Sequence, residues 1–154
     1  KTNAMRMLDK AKVEYEVLNY EFNEDNLSGV HAAQTLNLPF EQVFKTLVTR
    51  GNKGEIFVFC IPVAAELDLK KAAKCANVKS VEMIHVKELQ KITGYIRGGC
   101  SPIGMKKLFP TFLDSSAQNF DKIYVSAGLR GVQLKLSPTK LVDFIGGTFA
   151  EVSA

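Results

Sequence analysis

Residues 93–107 read T-G-Y-I-R-G-G-C-S-P-I-G-M-K-K, and within them Gly98, Gly99 and Gly104, with Ser101 and Pro102, interrupt an otherwise apolar, helix-like pattern. Glycine lacks a Cβ and so lets the main chain take positive φ and approach a ligand, while proline stiffens the turn. Successive exposed N–H groups in such a loop form a concavity suited to an anion or a developing oxyanion. The same composition also suits a plain connection between a helix and a strand. The spacing is neither G-x-G-x-x-G nor G-x-x-x-x-G-K-[S/T], so it specifies neither a dinucleotide nor a Walker-type phosphate site.

Lys45 is the second candidate, because in V-F-K-T-L-V it breaks an apolar strand. A lysine there is either a solvated outward position or an inward, functional cation, and alternation alone leaves both open. Tyr20, before a polar loop, can stack on a base or close the edge of a core. Cys100, inside the glycine run, has the type of a nucleophile, but nothing in sequence brings a histidine to it, and it is kept out of the catalytic set. The only histidines, His31 and His85, have no metal-ligand spacing around them and are expected to be structural. Cys60, Cys75 and Cys100 form no C-x-x-C pair, so free thiols are expected, without disulfides, metal or cofactor.

The elements that must position these residues can be read from periodicity and punctuation. Thr2 caps a helix through about Ala11, and a period-two strand around Tyr15–Tyr20 follows. The turn-rich segment 22–29 leads to a helix over 30–36 capped by Ser28, and Pro39 starts a brief helical turn through Val43. Segments 44–49 and 55–61 are rich in Val, Ile, Phe and Thr and are joined by R-G-N-K-G, which predicts a hairpin supplying the central strands. Asp68 caps a helix with Leu69, Ala72, Ala73 and Ala76 on one face. A short strand over 81–84 and a helix over 86–92 precede the glycine run. Strands over 108–113, 123–126 and 132–136, a helix from Ser137-Pro138 to Gly146, and a strand over 148–152 complete the chain. The pattern predicts an α+β domain with a mixed or antiparallel sheet curled towards a barrel.

A chain of 154 residues without a Gly/Ser/Pro-rich linker is expected to form one domain, residues 1–154. The longest apolar run, 56–65, contains Pro62 and is too short to span a bilayer, and residues 1–12 show helical spacing rather than a signal segment, so a cytoplasmic protein without membrane association is expected. Twenty Lys and Arg against sixteen Asp and Glu give a net charge of +4, which admits an anionic partner such as RNA without demanding one.

Five segments in order, F-K-T-L-V (44–48), L-D-L-K-K-A-A-K (67–74), V-E-M (81–83), the glycine run and I-Y-V-S-A-G-L-R-G (123–131), resemble in sequence and spacing the YbaK/EbsC-type Cys-tRNA(Pro) deacylases. The resemblance implies a small editing protein with a six- or seven-stranded barrel-like sheet surrounded by helices. Its implied task is to remove cysteine mischarged onto proline tRNA, with the tRNA 3′ acceptor end as partner, often alongside prolyl-tRNA synthetase. It implies Lys45 as the essential lysine, with Gly98, Gly99, Ser101 and Gly104 in the catalytic loop. The implied substrate contacts are Tyr20, Thr46, Pro102, Ile103, Ser126, Gly128, Arg130 and Gln133. Family members often have an acidic residue where Gln133 stands, glycine at Ala127, a basic residue at Leu129 and a branched aliphatic residue at Cys100. The family chemistry implied is attack by the substrate's own thiol on its ester carbonyl. The alternatives are hydrolytic editing of alanine or another small amino acid, as in the sister group, and a non-catalytic regulator that binds tRNA or a synthetase.

Overall fold

The computed structural model describes residues 1–154, which form a mixed α+β fold. Its elements are α1 (Asn3–Lys10), β1 (Glu16–Asn19), α2 (Gly29–Thr35), β2 (Phe44–Gly51), β3 (Ile56–Pro62), α3 (Leu69–Ala76) and β4 (Val81–Met83). They continue with α4 (Val86–Thr93), β5 (Thr111–Asp114), β6 (Ile123–Ser126), β7 (Val132–Leu136), α5 (Pro138–Ile145) and β8 (Thr148–Ala150). The helices begin where side chains satisfy orphan amides. Met5 N–H donates to Thr2 Oγ1 at 3.2 Å, His31 N–H to Ser28 Oγ at 3.2 Å, and the Lys70 and Lys71 N–H groups to Asp68 Oδ1 at 3.0 Å.

The strands form two sheets, one of three strands in the order β1-β7-β6 and one of five in the order β4-β2-β3-β5-β8. The expected hairpin is present, with Lys45 opposite Ile61 and Thr46 opposite Cys60, and it lies at the centre of the larger sheet. That sheet is mixed: β3–β5 and β5–β8 are parallel and the other pairs antiparallel. The expected six- or seven-stranded barrel is corrected here, since there are eight strands in two open sheets and neither closes on itself. They meet at a seam where Val43 bridges Tyr124 in parallel and Gln42 Nε2 donates to the Lys122 carbonyl at 2.9 Å.

Burial follows this division. The largest core cluster packs α1 and α5 against the inner faces of both sheets through Leu8, Phe44, Ile103, Leu134 and Leu141. A second cluster packs α3 on the outer face of the larger sheet, and a third, Ala33, Val43, Val63 and Tyr124, fills the seam under α2. Two local expectations shift. The strand expected from Leu108 begins at Thr111, after Pro110, and leaves Leu108 79% exposed; a 3₁₀ turn at Ser115–Asn119, capped by Asp114, was not foreseen.

Candidate active site

One cleft gathers side chains from both sheets. The larger sheet supplies Phe44, Lys45 and Thr46 from β2, and the smaller supplies Ser126 from β6 and Gln133 from β7, with Tyr20 just beyond β1. Ser126 and Gln133 are registered neighbours across the β6–β7 pair. Leu27, Ser28, Gly29 and Ala32 close one side, and Gly98 and Cys100 of the glycine run close another. The cleft holds about 110 Å³, well below the ~300–1,000 Å³ of pockets that enclose a whole drug-sized molecule. It therefore suits the end of a larger ligand.

Lys45 is the only charged side chain that lines it, and no carboxylate lies within ion-pair distance of its ammonium. Burial draws its pKa below the ordinary lysine value, with the charge of Glu66 opposing the shift. Beside Lys45, α2 lies close over β2 and the residue after β3. A Cβ at Gly29 would sit 2.4 Å from Val63 Cγ1 and 3.8 Å from Lys45 Cβ, so that helix approaches only with glycine there.

The glycine run divides in two. Gly98 takes φ +85° and faces the cleft against Leu27. Gly99 packs on the Leu129 and Arg130 backbone, and Ser101 is buried with its Oγ accepting from the Ile103 N–H at 3.2 Å. Pro102, Ile103 and Gly104 line a separate apolar groove with Met7, Leu108 and Phe144 on the far side of the loop. Gly128 packs on the Tyr95 ring, and Arg130 Nε donates to the Arg97 carbonyl at 2.9 Å, tying the two loops together. Of the residues expected at the site, Lys45, Gly98, Tyr20, Thr46, Ser126 and Gln133 thus line the cleft. Gly99, Ser101, Pro102, Ile103, Gly104, Gly128 and Arg130 instead shape or brace its loop walls.

Sequence reasoning missed Tyr95, which holds this loop in place. Its hydroxyl donates to the Ile103 carbonyl, and a Cβ at Gly104 would lie 2.9 Å from that hydroxyl oxygen. The signal available was an aromatic residue within a glycine-rich run. Leu27, Ser28, Gly29, Ala32, Val43 and Val63 were also missed as cleft residues, since they come from a turn, a helix and strand ends whose mutual approach is set by the seam. Cys100 does line the cleft, but burial pushes its thiol up to about 12, against a hydrogen bond with Thr93, so it stays protonated near neutral pH. No three His, Cys, Asp or Glu side chains converge as a metal-ligand set, and no helix is long and apolar enough to cross a membrane.

The sequence relation gives the class to which this fold and cleft belong, the aminoacyl-tRNA editing domain. The sequence profile of that family matches residues 26–144, and the chain belongs to it. Among individual relatives, it is 51% identical over 153 residues to EbsC of Enterococcus faecalis, provisionally named a Cys-tRNA(Pro)/Cys-tRNA(Cys) deacylase; the match covers 99% of this chain and 93% of that protein. YwhH of Bacillus subtilis is 26% identical over 124 residues, 80% of this chain and 78% of its own. The fold is shared with a solved hypothetical protein at TM-score 0.88 and 23% identity, covering 97% of this chain and 98% of the other. It is shared also with a structure described as a candidate trans-editing enzyme for prolyl-tRNA synthetase, at TM-score 0.81 and 21% identity, covering 100% and 99%.

Proposed function

We propose that this protein is a trans-editing deacylase that removes cysteine from mischarged Cys-tRNA(Pro). The observation that carries this reading is Lys45, the single charged residue of a small two-sided cleft, sharing that cleft with Gly98 of the glycine-rich loop. The name carried by the 51%-identical relative points to the same substrate.

The chemistry needs few protein groups, because an aminoacyl ester is already activated. Lys45 supplies rotatable donors to a ribose hydroxyl, a phosphate or the ester carbonyl. Main-chain N–H groups of the loop stabilise charge developing on the carbonyl oxygen, a type of contact whose loss costs about 3 kcal/mol in enzymes. The nucleophile comes from the substrate, since Cys100 is protonated and no carboxylate lines the cleft to act as a base. The substrate thiol sulfur bonds to its own carbonyl carbon and the bond from that carbon to the ribose oxygen breaks. The thiol proton ends on that ribose oxygen, so the products are free tRNA and a cyclic cysteine thiolactone. Proximity drives the step, since well-placed intramolecular groups reach effective molarities of ~10⁵ M or more.

The test is a deacylation assay on Cys-, Ser- and Ala-charged tRNA(Pro), with and without prolyl-tRNA synthetase. Cleavage of the cysteinyl ester at least ~10-fold faster than the other two is expected from thiol participation. Equal rates on all three would remove the thiol from the mechanism and favour water as nucleophile; tight binding without turnover would make the protein a non-catalytic tRNA binder.

A further inference from the structure

A second groove lies along the larger sheet, away from the cleft. It holds about 350 Å³ and is formed by the end of α4, the segment after the glycine run and the far end of the β2–β3 hairpin. Its charged lining is Arg50, Glu88, Lys91, Lys106 and Lys107. Arg50 is matched by Glu88 through paired contacts of 2.8 and 3.3 Å. The three lysines are exposed, and none has a carboxylate within ion-pair distance. Lys106 Nζ donates to the Lys91 carbonyl at 3.3 Å, which ties the segment after the glycine run to the last turn of α4 and keeps the charges together. A concave surface with such an excess of one sign attracts a polyanion.

We infer that this groove seats the phosphate backbone of the double-stranded acceptor stem of the tRNA whose 3′ end enters the cleft. The inference rests on the deacylase reading, which puts that end in the cleft, and adds a second contact surface to it. Thr46, which lines the cleft, alternates with Val48 and Arg50 onto one face of β2, so cleft and groove follow the same face of the strand. Arg50 stands four residues beyond Thr46, roughly 13 Å along the strand at the usual rise per residue. The unpaired nucleotides that precede the terminal adenosine cover a gap of this order and bring the first paired ones to the groove. The glycine run makes the same passage, with Gly98 in the cleft and Lys106 and Lys107 in the groove. Phe109 is the one aromatic ring in the lining and is half-buried, so bases find no stacking platform there and phosphate is what the groove can hold. The lysines of α3, Lys70 and Lys74, lie off this path, because α3 packs with Phe57, Phe59 and Ile61 on the opposite face of the sheet. Lysine meets phosphate as a point charge and reads no base, so the groove grips acceptor stems of any sequence.

The experiment measures, by fluorescence anisotropy over a range of salt concentrations, binding of a labelled RNA stem-loop ending in single-stranded ACCA and of the ACCA strand alone. The proteins are wild type, Lys91→Ala/Lys107→Ala and, as a control of equal charge, Lys70→Ala/Lys74→Ala. Wild type should bind the stem-loop at least ~10-fold more tightly than the single strand. Lys91→Ala/Lys107→Ala should weaken stem-loop binding about 10-fold and reduce the slope of log affinity against log salt by about 2, one for each phosphate contact removed, while binding of the single strand changes less than about twofold. Lys91→Gln/Lys107→Gln, which keeps part of each aliphatic stem, should behave alike and exclude a packing defect. The control should stay within about threefold of wild type. Equal wild-type binding of the two RNAs, an unchanged stem-loop affinity and salt slope in Lys91→Ala/Lys107→Ala, or an equal loss in the control overturns the inference. Displacement of the stem-loop by polyglutamate at equal charge concentration would mark an acidic-protein site and overturn it too. Turnover of Cys-tRNA(Pro) reads the deacylase proposal separately: turnover with an unaffected stem-loop affinity in the variant removes only the groove, and groove binding without turnover removes only the deacylase.

Discussion

Lys45 occupies a position where its own charge opposes folding. A lysine whose folded pKa is drawn below the ordinary value binds its proton more tightly in the unfolded chain, so its charge destabilises the fold at neutral pH. That penalty fades as pH rises through the folded pKa towards the ordinary lysine value. Lys45→Met should therefore melt no lower than the parent at pH 7 while losing at least ~100-fold in deacylation rate, as for an electrostatic contact made in the transition state. Thermal unfolding and single-turnover kinetics read the two quantities, and retained activity in a folded Lys45→Met protein would take the lysine out of the site. Cys100→Ser should keep deacylation within about threefold, because the thiol it replaces carries no charge at neutral pH; a loss near that of Lys45→Met would make Cys100 a participant. The break in V-F-K-T-L-V was legible in sequence, but its direction was not, since alternation looks the same for an inward and an outward lysine. Gln133 was harder to read for a related reason. It shares a face of β7 with Lys135, yet Gln133 is covered by the cleft while Lys135 reaches out over the Tyr124 ring at 5.9 Å.

Helices and strands were legible to within a few residues because capping residues and alternating patterns act locally. The glycine run was legible as a loop, but its division was not: Tyr95 holds the stretch around Gly104 through the Ile103 carbonyl, and Asn3 and Met7 of α1 close on Gly104, contacts that only the fold creates. Asp114 shows the same limit at the end of β5. Its Oδ1 accepts from the Val152 and Ser153 N–H groups at 3.1 and 3.0 Å, and its Oδ2 accepts from the Ser116 N–H and hydroxyl. Burial works against ionisation of Asp114, but these bonds outweigh it and hold the pKa below the ordinary value of 3.8. The stabilisation is present above that ordinary value and is lost as pH falls through the lower folded one. Asp114→Asn should lower stability at pH 7 by about 2 kcal/mol, since an amide replaces a charged acceptor among these donors. Urea unfolding at pH 7 and pH 3 should show the difference shrink in acid, and an unchanged midpoint at pH 7 would deny the carboxylate this role.

For the whole molecule, sequence conveyed the α+β class and the hairpin at the centre of the larger sheet, and it overstated closure. Side-chain periodicity tells which face of a strand is buried, whereas lateral pairing depends on partners far along the chain. The parallel run from β3 through β5 to β8 joins residues about fifty and about thirty-five positions apart, a distance no local pattern reports. The site's membership was legible mainly where it sat in an unusual local pattern, as with Lys45 and Gly98, and not where two sheets merely approach, as with Ala32 and Val63. That approach is held by the Val43–Tyr124 bridge and the apolar cluster beneath α2. Lys45 rides on one sheet and Gln133 on the other, so the gauge of the cleft is set by the apolar side chains packed at the seam. A change of volume at Ala33 or Tyr124, which lie behind the cleft lining, would alter that gauge while every polar residue of the site stays the same.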